Sequence, residues 1–374
     1  MTVLHLISST GNYGAENMLV ALASGLSKLG CHSIVAVFSD SRYPHTEVAD
    51  HAIHQGLPVE IVPCRGRWDS HAVGRIRKLL DFHGVNVLHT HGYKADVLGC
   101  AAAWLQRTVV VATCHNWPDR RPTMRVYALL DRLLLKRFDE VAAASEPVAG
   151  ILRQWGMSGA QVLPNGVDMG RFAFAAPTIR SQIADNCERL VGFIGRMVPE
   201  KGGALLLRCA KKVLEVRPRT TFVFVGDGPC RTEWEALASR LGISPNVVFA
   251  GLRNDMPGVY ASLDILILPS LIEATPMCLL EALAARVPVI ASRVGSVPSV
   301  VIPGVTGLLV DPADENGLAD AILRLLADPT LAGAMAEQGH QHVARHFSAD
   351  TAAAAYVELY KQALARRCTK YERN

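Results

Sequence analysis

The sequence predicts an α/β protein of two successive doubly wound units, and three observations carry that expectation. Short β-branched runs alternate with longer amphipathic stretches, as in a parallel sheet covered on both faces. The alternation breaks once, near the middle, and then resumes. The chain has 374 residues, more than one ordinary core organises.

In order, the first unit offers strands over 3–7, 33–38, 59–62, 85–89, 109–113, 140–144 and 161–163. Amphipathic stretches such as 15–29 and 70–82 separate several of them. Residues 165–187 carry a turn, a proline and no clear period, so they read as a linker. The second series runs over 190–194, 221–225, 247–249, 265–268, 289–291 and 308–310. A last helix is expected over 348–367, with Ser348 as its cap. The expected division is 1–168, 169–347 and 348–374. Two such units leave a cleft at the carboxyl ends of their strands, where open α/β sheets bind ligands.

Composition excludes several classes. Half of the residues are apolar and 19% charged, as in a globular enzyme. A formal charge of +4 is too small at this length to point to nucleic acid. The nine cysteines are scattered with no CxxC, which argues against a disulfide framework or a zinc site and for buried thiols in a reducing cytoplasm. The first residues lack the basic and apolar regions of a signal peptide, and no apolar run is long enough to span a bilayer.

The most informative segment is PSLIEATPMCLLEALAARVPVIAS, 269–292. A strand ends, a loop carries Glu273, and Thr275 caps a helix with Pro276 in its first position. Free backbone N–H groups near Met277, Cys278 and Leu279 would face an anion, and Glu281 lies further along the helix. This suits a nucleotide diphosphate: the helix start takes a phosphate, Glu281 accepts from both ribose hydroxyls, and Glu273 holds sugar hydroxyls. Either glutamate alone would read as a solvated charge; the context reverses that. In LVGFIGRMVPEKGG, 190–203, Arg196 and Lys201 put two cations over one strand end, where a leaving diphosphate builds charge. The macrodipole disfavours cations at a helix start, so a surface role explains them poorly. After the first strand, SSTGNYGAE offers Gly11 and Gly14 for close backbone approach, without a dinucleotide GxGxxG. His89, His91 and His115 follow strands; His115 suits a hydrogen bond to a transferred sugar, and His91 and Asp96 suit an acceptor. For each lone histidine the alternative is a satisfied interior or surface residue.

GRMVPEKGG, GDGP at 226–229, EATPMCLLEALA and GVTGLLVDP, with the early GAE turn and PNGVD, together resemble glycosyltransferase family 4 over essentially the whole chain. The resemblance implies a GT-B fold, a last helix that crosses back to the N-terminal domain, and retaining, metal-independent transfer from a nucleotide-diphosphate sugar. By that resemblance Arg196 and Lys201 hold the diphosphate, Glu281 the ribose and Glu273 the donor sugar. Gly14 and Gly228 lie by the donor, and His115 lies near its sugar. UDP-sugars are the expected donors, GDP-mannose next, and the expected acceptor is a cell-surface glycan or lipid-linked oligosaccharide. No Asp-x-Asp occurs for a divalent ion, so no metal is expected. The chain departs from the family pattern in NYGAE, where many relatives have adjacent glycines, and in Ala274, where a glycine is usual.

The stretch 120–138 is basic and amphipathic, with Arg125, Arg132 and Lys136 on one face. It suits either anionic lipid on the inner face of the cytoplasmic membrane or an ordinary solvated helix face in the cytoplasm. Two other functions fit the architecture: a sugar-nucleotide epimerase, and a non-catalytic nucleotide-sugar-binding protein.

Overall fold

A computed structural model describes residues 1–9, 14–40, 45–66, 69–104, 106–115, 131–180, 183 and 187–371. The chain forms two compact units, Met1–Gly166 with Ala349–Asn374, and Val167–Ser348.

The first unit holds a parallel sheet of β1 (Thr2–Ile7), β2 (His32–Asp40), β3 (Val59–Cys64), β4 (Val87–His91), β5 (Val109–Cys114), β6 (Glu140–Ala143) and β7 (Gln161–Val162) in the order β3-β2-β1-β4-β5-β6-β7. Alternation sends Leu4 and Leu6 of β1 to one face, where they pack with Ile34, Leu88, Ala112 and Leu98. Ile7 goes to the other face, with Val35, Val37 and Leu19. Both faces are apolar, as a parallel sheet requires. His5 stands between Leu4 and Leu6 and shares the face of Ile7.

The second unit holds β8 (Arg189–Ile194), β9 (Thr220–Val225), β10 (Val247–Gly251), β11 (Ile265–Leu268), β12 (Val289–Ser292) and β13 (Leu308–Val310) in the order β10-β9-β8-β11-β12-β13. Phe193, Phe222, Phe224 and Trp234 anchor its core, with Phe193 and Trp234 edge to face at 5.7 Å. The strand order in each unit reverses once, beside the first strand: between β1 and β4, and between β8 and β11. These are the switch points at which open sheets accept ligands.

Three expectations change. The fourth strand lies two residues later than expected, because β4 takes its register from β1, with His5 opposite His89 and Ile7 opposite His91. The region read as a linker is structured at its start: Asp168 caps helix Met169–Phe172 by accepting from the Gly170 N–H at 3.0 Å, and Phe172 is buried against Tyr260. The last helix runs over Ala349–Tyr371, a residue later at its start and four longer at its end than expected, and it belongs to the first unit, as the resemblance implied. There Arg367 pairs with Asp139 at 2.6 Å, and Tyr356 and Tyr360 are fully buried.

Candidate active site

In the second unit the site begins at the carboxyl end of β8. After Ile194 the chain passes Gly195 and exposed Arg196, then makes a 3-10 turn over Pro199–Lys201. The order strand, Pro199, Glu200, Lys201 predicts that these residues open the next helix directly. Instead Gly202 intervenes at φ +71°, and the helix proper is Gly203–Val216. A Cβ at Gly202 would lie 2.0 Å from the Pro269 carbonyl oxygen, so only glycine lets this turn close on the loop that leaves β11. The Leu271 N–H donates to the Glu200 carbonyl at 2.8 Å and joins the two loops a second time.

That closure carries Lys201 to Glu273. Lys201 Nζ donates to Glu273 Oε1 at 2.6 Å, and Ser270 Oγ donates to the same oxygen at 2.7 Å. Both partners are largely buried, so screening is weak. From the other side Ser296 donates to the Ala274 carbonyl. Gly295, at φ +53°, lies so close that a Cβ there would meet the Glu273 carbonyl oxygen at 1.8 Å. The Arg196 guanidinium has no hydrogen-bond or ion-pair partner among the described residues, which leaves it available to an anion.

The helix that follows is Met277–Ala284, one residue later than expected. Pro276 is its cap rather than its first residue, because it sits in an extended conformation at ψ 104°, and a proline side chain offers the helix start no hydrogen bond. The expected row of free N–H groups is shortened as well: the Leu279 N–H donates to the Pro276 carbonyl at 3.1 Å. Burial pushes the Cys278 thiol up to about 12, so it stays protonated.

Glu281 is buried on this helix. Tyr260 Oη donates to its Oε2 at 2.7 Å, and burial raises its pKa against the opposing effects of that bond and of Arg171. One oxygen is therefore taken by the protein. No further hydrogen bond reaches the carboxylate among the described residues, so Oε1 remains for a ligand. Gly228 lies half-buried against the Met197 backbone, where a Cβ would come within 2.5 Å of the carbonyl oxygen.

In the first unit, Gly14 opens helix Gly14–Lys28, and Ser9 Oγ donates to Glu16 Oε1 at 3.2 Å; Gly11 lies outside the described residues. His89 is interior to β4 rather than at its end, and His91 is the last strand residue. His115 follows β5, half-buried, and burial holds its pKa down at about 4, with Asn165 opposing. Asp96, expected to face an acceptor, is an interior residue. Thr90 donates to it at 2.5 Å, and burial beside Asp131 holds its pKa well above the usual carboxylate range. Asp131 itself is raised by burial to about 7.

Among the described residues, His5, His89 and His91 bring possible metal-ligating atoms within 4.8 Å of one another. His89 already commits both ring nitrogens, Nε2 to Thr113 and Nδ1 to Tyr360, each at 2.7 Å. A tetrahedral ion with nitrogen ligands at about 2.0–2.1 Å needs closer and free lone pairs.

Of the basic stretch, Arg125 lies outside the described residues. Arg132 sits over the Trp155 ring at 5.6 Å, and Lys136 is exposed. No helix among the described residues is long and apolar enough to cross a membrane.

Sequence reasoning missed Ser270, Tyr260, His5 and Ser296. Ser270 had a signal, a hydroxyl directly after a strand and three residues before a glutamate. The others are brought in by tertiary packing.

Two family models match the chain. The model described as "Glycosyltransferase Family 4" matches residues 13–171, and "Glycosyl transferases group 1" matches 188–328. A GDP-mannose-dependent alpha-(1-6)-phosphatidylinositol monomannoside mannosyltransferase of Mycolicibacterium smegmatis is 34% identical over 200 residues, which are 50% of this chain and 51% of that one. A UDP-Gal:alpha-D-GlcNAc-diphosphoundecaprenol alpha-1,3-galactosyltransferase of Escherichia coli is 28% identical over 280 residues, 68% of this chain and 70% of that one. The chain spans about half the length of several of the relatives it matches, such as the mannosyltransferase. Among solved structures, HepE of Anabaena in complex with UDP-glucose superposes with a TM-score of 0.83 at 23% identity, over 97% of this chain and 100% of that one. That likeness shows a GT-B fold of two Rossmann-like domains.

Proposed function

Because the chain belongs to glycosyltransferase family 4, we propose that it moves a sugar from a nucleotide-diphosphate sugar to a hydroxyl of a glycan or lipid-linked acceptor, with retention and without a metal ion. The observation that carries this reading is the contact of Lys201 and Ser270 with Glu273 at the β8–β11 switch point, with unpartnered Arg196 on the loop that leaves β8 and half-engaged Glu281 on the helix that follows the Glu273 loop. Cations that fix a departing diphosphate stabilise charge that grows as the glycosidic bond breaks. Lys201 is held toward its task by Glu273, and Arg196 awaits an anion. Glu281 offers Oε1 to a ribose, and Glu273 keeps Oε2 for a donor-sugar hydroxyl. The helix start at Met277 and Cys278, with Gly228 against the Met197 backbone, completes the donor side. The family resemblance assigns Gly14 and His115 to the donor, His91 at its strand end suits the acceptor, and in the proposed reaction the departing phosphate takes the acceptor's proton.

A UDP-sugar is the favoured donor. The name of the Escherichia coli relative and the ligand of HepE both carry UDP; the mycobacterial relative's name carries GDP-mannose and makes it the second choice. Lipid-linked acceptors in the two relatives' names support cell-surface polysaccharide or glycolipid assembly. They also support peripheral membrane contact through the basic stretch around Arg132 and Lys136.

The test is a panel of nucleotide sugars screened by thermal shift in EDTA, followed by hydrolysis and transfer assays with the best donor. A donor-specific rise in Tm and metal-free transfer that keeps the anomeric configuration are expected. No shift with any nucleotide sugar would remove the assignment, and inverted product would remove retention.

A further inference from the structure

Glu281 is held by a tyrosine to which the proposed reaction assigns no task. Tyr260 lies on helix Met256–Ser262, ahead of β11, and Glu281 lies on helix Met277–Ala284, behind it. Tyr260 is fully buried, and its ring meets the Phe172 ring edge to face at 5.6 Å. Its Oη donates to Glu281 Oε2 at 2.7 Å. Burial, and then the neighbouring Glu281 charge, hold the phenol well above its ordinary range, so it keeps the proton that it donates.

A buried carboxylate that served packing alone would be bonded on both oxygens, because its unused lone pairs cost free energy away from water. Glu281 has this one hydrogen bond among the described residues. Arg171 acts on it through space, without an ion pair. Oε1 accepts nothing, yet it is not one of the enclosed side-chain atoms that lack a partner, so it is an oxygen of this 7% exposed residue that meets solvent. Burial is the main influence on the Cys278 thiol, and the charges of Lys201, Glu273 and Glu281 all reach it as well. The three charges thus lie around one side chain at the helix start. The last torsion of a glutamate is broad and roughly two-fold, so an unbonded carboxylate would swing. The Tyr260 bond removes that freedom and decides which oxygen stays open.

We infer that Tyr260, backed by Phe172, is a positioning residue that fixes the Glu281 carboxylate with Oε1 open, so that Oε1 accepts from the ribose of a nucleoside diphosphate. The inference rests on the proposed assignment of Glu281 to the ribose and deepens it. Preference for a ribose over the same sugar without its hydroxyls then depends on a phenol that is too deeply buried to touch the ligand.

The experiment is calorimetric titration of the full chain with UDP and with 2′,3′-dideoxy-UDP, or with the matching guanine pair if the panel selects GDP-mannose, together with donor kinetics. The native protein should bind the ribose form about 10–100-fold more tightly, the size of a hydrogen bond to a charged group. In Tyr260→Phe that preference should shrink to about threefold or less, and the donor KM should rise while kcat stays near native, as for a contact made equally in ground and transition states. A tyrosine that only supported packing would weaken both nucleotides alike. Glu281→Gln gives a second, independent reading. With Tyr260 in place, the phenol takes the amide oxygen and turns the amide N–H groups to the ribose, so the preference should be lost as fully as in Glu281→Ala. A folded Tyr260→Phe that keeps the native preference overturns the inference. So does a Glu281→Gln that keeps it, and this variant decides alone if Tyr260→Phe does not fold. A native protein that binds both nucleotides equally, or a Glu281→Ala that keeps the preference, refutes instead the assignment of Glu281 to the ribose.

Discussion

At the scale of single residues, two charges decide whether the donor site works. Lys201 is the better test, because its ammonium is pinned at 2.6 Å to Glu273 and beside Ser270. Lys201→Ala removes one preorganised cation from the departing diphosphate and leaves Glu273 without its ion pair. Turnover is expected to fall by about 10²–10³, which is the loss of ~3–4 kcal/mol of transition-state stabilisation. Steady-state kinetics checks it, and a rate within threefold of native would remove Lys201 from the mechanism. Asp131 tests the interior. Burial lifts its carboxyl to about 7, above an unfolded value near 3.8. Between those values the folded chain holds a proton that the unfolded chain has released, so this group's contribution to stability falls as pH rises toward 7. Asp131→Asn removes that loss. The variant should gain on the native protein between pH 5 and pH 8 in urea unfolding; a difference that stays flat across that range contradicts the shift.

At the scale of elements, the loops of the site are held by glycines more than by side chains. Gly295→Ala must place a methyl where the Glu273 carbonyl oxygen stands, in a left-handed backbone that costs about 1–2 kcal/mol for an L-residue. The Glu273 loop must move to admit it. The expected outcome is a large fall in kcat with a modest fall in Tm, and native activity in the variant would show that the loop's position is immaterial. Much of this element level is readable from residue order. The β-branched runs found the strands because parallel strands buried on both faces are nearly continuous apolar segments. EATPMCLLEALA placed Glu273 and Glu281 on a loop and a helix because strand end, proline and apolar run occur in that order. The failures share a physical cause. β4 slid by two residues because its register is set by β1, far away in sequence. Pro276 is a cap because its ψ of 104° lies outside the helical range, and the Ser296 bond to the Ala274 carbonyl in the same loop spans 22 positions that no local pattern announces. Tyr260 reaches Glu281 across 21 positions, and Tyr360 reaches His89 across 271. Local periodicity carries no information about such pairs.

At the scale of the whole molecule, the chain order and the packing disagree in one place, and this makes the stability of the two units separable. The first unit is closed by the last helix, which follows the entire second unit in sequence. Its anchorage is polar and buried: Tyr360 Oη to His89 Nδ1, His89 Nε2 to Thr113, and Thr113 to Tyr356 Oη, each at 2.7 Å. At the far end Arg366 pairs with Glu140, and Arg367 with Asp139 at 2.6 Å. Tyr360→Phe deletes one hydroxyl and strands a buried ring nitrogen, a loss of about 1–3 kcal/mol. A chain ending at Ser348 loses the entire row and uncovers the β4–β5 face. Val167–Ser348 keeps its own sheet and aromatic core in both variants. Hydrogen exchange should therefore show β1, β4 and β5 losing protection in Tyr360→Phe and more so in the shortened chain, with β8, β9 and β11 unchanged. Equal loss in both sheets would mean that the units unfold as one body, and that the last helix stabilises more than the unit it packs on.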